Sequence, residues 1–254
     1  MKTTVEKILL VLVVVFGVAL ASAEPIRSMV GGKFNGLAKE DEVWVNPYVV
    51  DGMVGLWDID FQGTSDGYLF NLVEGGEDVS LQFSGEANGW MVNEGWRNLD
   101  ISALQIPNNN CTLEIVLRKN DSSSVSRYYP CGLIASTMEF CGTAWINSGG
   151  LARYAVYFRD SQTTSSYYID WADLMTPHTE TFVADQSFKA KAYLNGELVV
   201  TKNLGAATQG NIRAFRANGD TSKGFVKCIR IYNRALTADE IQYNYEIDSA
   251  RFGL

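Results

Sequence analysis

Histidine is almost missing from this chain: His178 is the single one among 254 residues. That leaves no material for a His-based metal site, and a Cys–His nucleophilic pair would have to use His178, which no neighbouring motif supports. Basic clusters are missing too. Lys and Arg number 21 against 29 Asp and Glu, a formal net charge of -8, and they are scattered, so no phosphate-tracking stripe exists and no nucleic-acid partner is expected. The four cysteines, Cys111, Cys131, Cys141 and Cys228, are not spaced as zinc ligands. Being even in number, they permit two disulfides in three connectivities, or buried free thiols. Internal repeats and low-complexity tracts are absent, apart from a short serine run after Asp121.

Long apolar runs are lacking except at the start. Lys2 and Lys7 precede the run Ile8 to Leu20, and Ala21-Ser22-Ala23 supplies small residues before Glu24. Residues 1–23 therefore read as an export signal, the alternative being an uncleaved anchor; the run is short of the about 20 residues a spanning helix needs. The expected product is secreted, without a membrane span. Residues 24–46 form a polar leader with an acidic knot at Glu40, Asp41 and Glu42, and 47–254 form one domain.

What is present is strand after strand. Val49, Val50, Met53, Val54, Leu56 and Trp57 bracket the turn signal Asp51-Gly52. Val79, Leu81 and Phe83 alternate with polar residues, as do Leu113, Ile115 and Leu117, which predicts a strand with one core face and one face open to water or ligand. Further strands are expected over Tyr128 to Ala135, at Tyr154, Val156 and Phe158, over Tyr167 to Trp171 and over Thr179 to Ala184. The clearest hairpin is KAKAYLNGELVVTK: Asn195-Gly196 suits a two-residue type I′ turn, which sets Tyr193 opposite Leu198. At the end, FVKCIRIY reads as a strand. A helix follows, with Thr237 as N-cap, Glu240 completing a capping box, and Leu236 and Ile241 as a hydrophobic staple. Ala238, Ile241 and Tyr245 are expected on its inner face.

The strand–IYNRAL–capped-helix segment, the opening VDGMVGLWD and the Y-x-NG hairpin together resemble LamG-like domains of the concanavalin A-like superfamily. The resemblance covers most of Tyr48 to Leu254. It implies an all-β fold, a jelly-roll sandwich of two antiparallel sheets with a short C-terminal helix, in a family whose members commonly bind glycans or proteins and some of which carry calcium.

Glycan recognition needs aromatic faces and planar polar groups. Trp90, Trp96, Trp145, Tyr128, Tyr129, Tyr167, Tyr168 and Trp171 supply aromatics; Trp90, Trp96 and Trp145 sit in polar, loop-like context, and of the neighbours Tyr167 and Tyr168 one should face outward. Glu114 and Arg118 share one strand face and are candidates for the same surface. Asp58, Asp60, Asp66 and Asp220, in or beside glycine-bearing loops, are candidate calcium ligands. Related glycosidases carry an E-x-D-x-x-E-type strand, which is absent. Asp58-Ile59-Asp60 is the nearest approach and would put both carboxylates on one side of a continuing strand. Asn110-Cys111-Thr112 and Asn120-Asp121-Ser122 are glycosylation sequons. The expectation is a secreted, non-catalytic recognition domain for a carbohydrate or glycan-bearing surface. A protein-contacting structural domain and a glycoside hydrolase are the alternatives.

Overall fold

The computed structural model describes residues 46–62, 68–82, 86–87, 89–93, 97–119, 131–135, 138–148, 151–158, 165–170, 175–187, 189–203, 210–217 and 224–254. The export signal and nearly all of the leader lie outside them, as do Asp66, Phe83, Trp96, Asn120, Tyr128, Tyr129, Trp171 and Asp220. Trp145, Tyr167, Tyr168, Cys131 and Cys141 are described by their backbone alone.

The described strands pair antiparallel throughout, in two large sheets and a small one. The larger sheet runs, in spatial order, Glu197–Asn203 (β14), Lys189–Leu194 (β13), His178–Ala184 (β12), Cys111–Lys119 (β7), Gly224–Tyr232 (β16), Trp90–Asn93 (β5) and Glu86–Ala87 (β4). Met53–Asp58 (β1) pairs with the far end of β16. The second sheet runs Ser165–Asp170 (β11), Leu151–Phe158 (β10), Met138–Ser148 (β9), Cys131–Ala135 (β8), Ile212–Ala217 (β15) and Arg97–Asp100 (β6). Tyr68–Phe70 (β2) and Ser80–Gln82 (β3) form the small sheet. With a C-terminal helix at Ala238–Phe252, this is an all-β sandwich closed by one helix.

Period-two alternation divides the larger sheet between two cores. Leu113, Ile115 and Leu117 of β7, Phe182 of β12 and Ile229 and Ile231 of β16 meet Leu133, Ile212 and Phe215 of the second sheet between the layers. On the other face Val116, Val183, Tyr193, Cys228 and Tyr232 pack with Leu236 and Ile241 beneath the helix. The expected open face of β7 is therefore corrected. Residues 111–117 are buried on both sides because the C-terminal helix roofs the outer one.

Local signals position these elements. The Asn195-Gly196 turn has φ of 50° and 79°, the left-handed values of a type I′ turn, and Tyr193 pairs with Leu198. Thr237 accepts from the Glu240 N–H while the Glu240 carboxylate accepts from the Thr237 N–H, and Leu236 and Ile241 are both buried. One expectation about the helix fails. Ala238 is exposed, and the inner face is Ile241, Asn244 and Asp248, two of them polar.

Candidate functional site

Between the helix and the larger sheet lies a buried ionic cluster. Arg230 of β16 donates through Nη1 and Nη2 to Asp248 (2.7 and 2.5 Å) and through Nε to Glu114 of β7 (2.9 Å). Glu114 also accepts from Asn244 Nδ2 (2.7 Å) and Thr181 Oγ1 (3.3 Å), and Thr179 Oγ1 donates to Asp248 (3.2 Å). Asn244 turns its carbonyl to the Val49 N–H, and the Tyr48 ring lies 4.1 Å from the Arg230 guanidinium. Each charge is thus paired and hydrogen-bonded, as burial requires. Burial works against the charge on Arg230, but Asp248 and Glu114 outweigh it and hold its pKa well above the ordinary guanidinium value. Burial pushes the Glu114 carboxyl up, opposed by Arg230. The cluster fastens the C-terminal helix to the sheet and offers no open chemistry.

Glu114 consequently is not a ligand-facing residue: it is 1% exposed and its oxygens are spent on Arg230, Asn244 and Thr181. Trp90 is also corrected. It lies in β5 rather than a loop and is 7% exposed, covered because it packs with the outer-face core. The Arg118 guanidinium lies 5.2 Å from its ring centre.

Asp58 and Asp60 do converge, by a different route from the one expected. β1 ends at Asp58, and Ile59–Gln62 turns into a short helix instead of continuing the strand. Arg251 Nη1 donates to Asp58 Oδ2 (2.8 Å), and Lys227 Nζ to Asp60 Oδ1 (2.7 Å). Arg251 also donates to the Tyr48 hydroxyl. With both carboxylates neutralised by protein cations and Asp58 wholly buried, this pair does not fit a calcium ion, and a glycosidic acid–base pair is not formed either. Burial raises the Asp58 pKa against the pull of Arg251. Among the described residues no cluster of three or more His, Cys, Asp or Glu is gathered to hold a metal. Cys111 and Cys228 are buried free thiols, so neither is bridged. His178 is buried, with Nδ1 2.9 Å from the Thr176 carbonyl and Nε2 3.3 Å from Glu180. Asn110 of the first sequon accepts from the Ala235 N–H (3.0 Å).

Register sorts the aromatic candidates of the second sheet. Trp145, Tyr154 and Tyr167 are opposed across β9, β10 and β11, so their positions share one face; Ile146, Arg153 and Tyr168 share the other.

Sequence reading missed one aromatic surface. Tyr68 and Phe70 of β2 are 41% and 43% exposed on either side of the fully buried Leu69, and their register partners on β3 are Gln82 and Ser80. A Tyr-Leu-Phe string is apolar throughout, so alternation could not betray which members face out. Asn71, buried beside them, braces the hairpin: its side chain accepts from the Leu56 and Val73 N–H groups and donates to the Val54 and Glu77 carbonyls.

No family model matches this sequence, and a search of curated proteins finds no match. Solved structures do match. Trypanosoma rangeli sialidase in complex with sialic acid is similar at a TM-score of 0.60 and 13% identity, over 77% of this chain and 33% of that one. The binding domain of botulinum neurotoxin DC in complex with rat synaptotagmin II is similar at a TM-score of 0.57 and 10% identity, over 78% and 52%. The same toxin domain in complex with SialylT gives the same figures. This chain spans about a third of the sialidase and about half of the toxin domain. At such identities the likeness shows the β-rich fold alone. No helix among the described residues is long and apolar enough to cross a membrane.

Proposed function

We propose that this chain is a secreted, LamG-like recognition domain that binds carbohydrate, or a surface bearing it, and does no chemistry on it. The observation that carries the reading is the exposed pair Tyr68 and Phe70 on the β2–β3 hairpin, with Gln82 and Ser80 opposite. Alternate residues of a strand lie about 6.5 to 7 Å apart on one face, so the two part-exposed rings offer apolar surface of the kind that stacks on a sugar ring. Support from outside the chain is the fold shared with a sialidase in complex with sialic acid and a toxin binding domain in complex with SialylT.

The test is co-sedimentation of the chain from Glu24 onward with a panel of insoluble polysaccharides, with a reducing-sugar assay on the supernatant. Retention without sugar release supports recognition. Sugar release overturns the non-catalytic reading, and retention by none moves the assignment to a protein-contacting role, which the toxin domain's synaptotagmin complex favours.

A further inference from the structure

Arg118 stands apart from the matched charges around it. Lys227 is paired with Asp60, Arg251 with Asp58, and Arg230 with Glu114 and Asp248. Among the described residues Arg118 has no carboxylate or carbonyl acceptor, and its Nε, shut off from water, donates to nothing. Strand register explains its direction. Arg118 lies directly opposite Phe225 on β16, and Phe225 lies opposite Val92 on β5, two residues beyond Trp90. The guanidinium carbon is 4.8 Å from the Phe225 ring centre and 5.2 Å from that of Trp90. Lys227 Nζ approaches the same Trp90 ring at 5.4 Å.

Aromatic faces attract a cation but accept none of its in-plane N–H bonds. The guanidinium is thus held in place with its hydrogen-bonding fork unspent, which is the arrangement that suits bidentate capture of an oxyanion. Nε is closed to water, so an oxyanion meets the Nη end of the fork, which is not among the closed-off donors. We propose that Arg118 is a receptor for an oxyanion, carboxylate or sulfate, carried by an acidic ligand. Phe225 and Trp90 fix the fork, and Lys227 adds positive field at the same ring. This site lies on the outer face of the larger sheet and stands independently of the aromatic hairpin.

The test uses the isotope-labelled chain, titrated with sodium sulfate and separately with sodium glucuronate, against sodium chloride at matched ionic strength. The expected result is a saturable downfield shift of the Arg118 Nε–H resonance, accompanied by the Trp90 indole, with at least one of the two. Response to sulfate alone assigns the ligand group as a sulfate ester; response to glucuronate alone assigns a carboxylate. Arg118→Met abolishes the shift of Trp90, and Arg118→Lys, which keeps the charge and loses the fork, weakens binding about ten-fold. The proposal is overturned if neither anion moves the wild-type resonance saturably, if glucose moves it equally, or if the Trp90 response survives in Arg118→Met.

Discussion

Replacing Arg230 with Met separates a structural ion cluster from a merely apolar contact beneath the helix. The side chain is fully buried, makes three charge-assisted hydrogen bonds to Asp248 and Glu114, and lies against the Tyr48 ring. Summing about 1.5 to 3 kcal/mol per bond would overstate the loss, because the pair also sheds its desolvation cost. Removing one member of such a buried cluster costs about 3 to 5 kcal/mol, since the charges left behind have no partner. In Arg230→Met the Glu114 carboxyl, already pushed up by burial, loses the cation that opposed that rise. Its folded pKa therefore moves further above the unfolded one, so the deficit grows as pH rises through that window and shrinks as pH falls. Urea unfolding at about pH 7 and about pH 5 reads both effects as midpoint shifts at constant slope. A loss under about 1 kcal/mol, or a deficit that does not change with pH, would refute the reasoning.

Other outcomes follow from single contacts. Thr237→Ala removes the N-cap and lowers stability by about 1 kcal/mol in thermal unfolding. The Arg234 hydrogen bonds hold the Glu240 carboxyl down at about 2, so its contribution is fully present above the ordinary carboxylate value near 4.5 and is lost as pH falls from there toward 2. Because that pair is on the surface, the loss amounts to about 0.5 kcal/mol in an Arg234→Gln comparison across the window. Burial pushes the Cys111 thiol up to about 12 and raises Cys228 as well, so peptide mapping after brief treatment of the native chain with a thiol reagent finds both unmodified; denaturation exposes them. Gly196→Ala costs more than about 1 kcal/mol by chemical denaturation, because φ is 79° and a Cβ would lie 2.5 Å from Gln242 Oε1.

What could be read from the residues alone was local. The Thr237–Glu240 box and the Asn195-Gly196 turn are specified within four residues, and both appear in the expected register. Strand positions from Leu113 to Leu117 were equally plain, because alternation is intrinsic to a strand. What covers the second face of that strand was not legible. Glu114 acquires its role from Arg230, 116 residues away, and from Asn244 and Asp248, which read as solvent-facing polar residues on any helix. Asp58 and Asp60 looked like loop carboxylates because Arg251 and Lys227, their partners, are distant in sequence. Trp90 looked exposed for a related reason: the residues packed around it, Arg118 and Phe225, are distant in sequence. Exposure of Tyr68 and Phe70 depends on which strand Leu69 packs behind, a tertiary fact with no local signature.

Titration calorimetry with soluble polysaccharides tests glycan binding by the β2–β3 aromatic pair most directly. Each exposed ring is worth about 1 kcal/mol of contact, so wild-type chain should show saturable binding to at least one polysaccharide, weakened about ten-fold or more in Tyr68→Ala/Phe70→Ala. Since both side chains are exposed, that variant should keep its melting temperature within a few degrees. Equal affinity in the wild type and the folded double variant would contradict the placement of the site, and no heat with any polysaccharide would contradict the recognition of sugar itself.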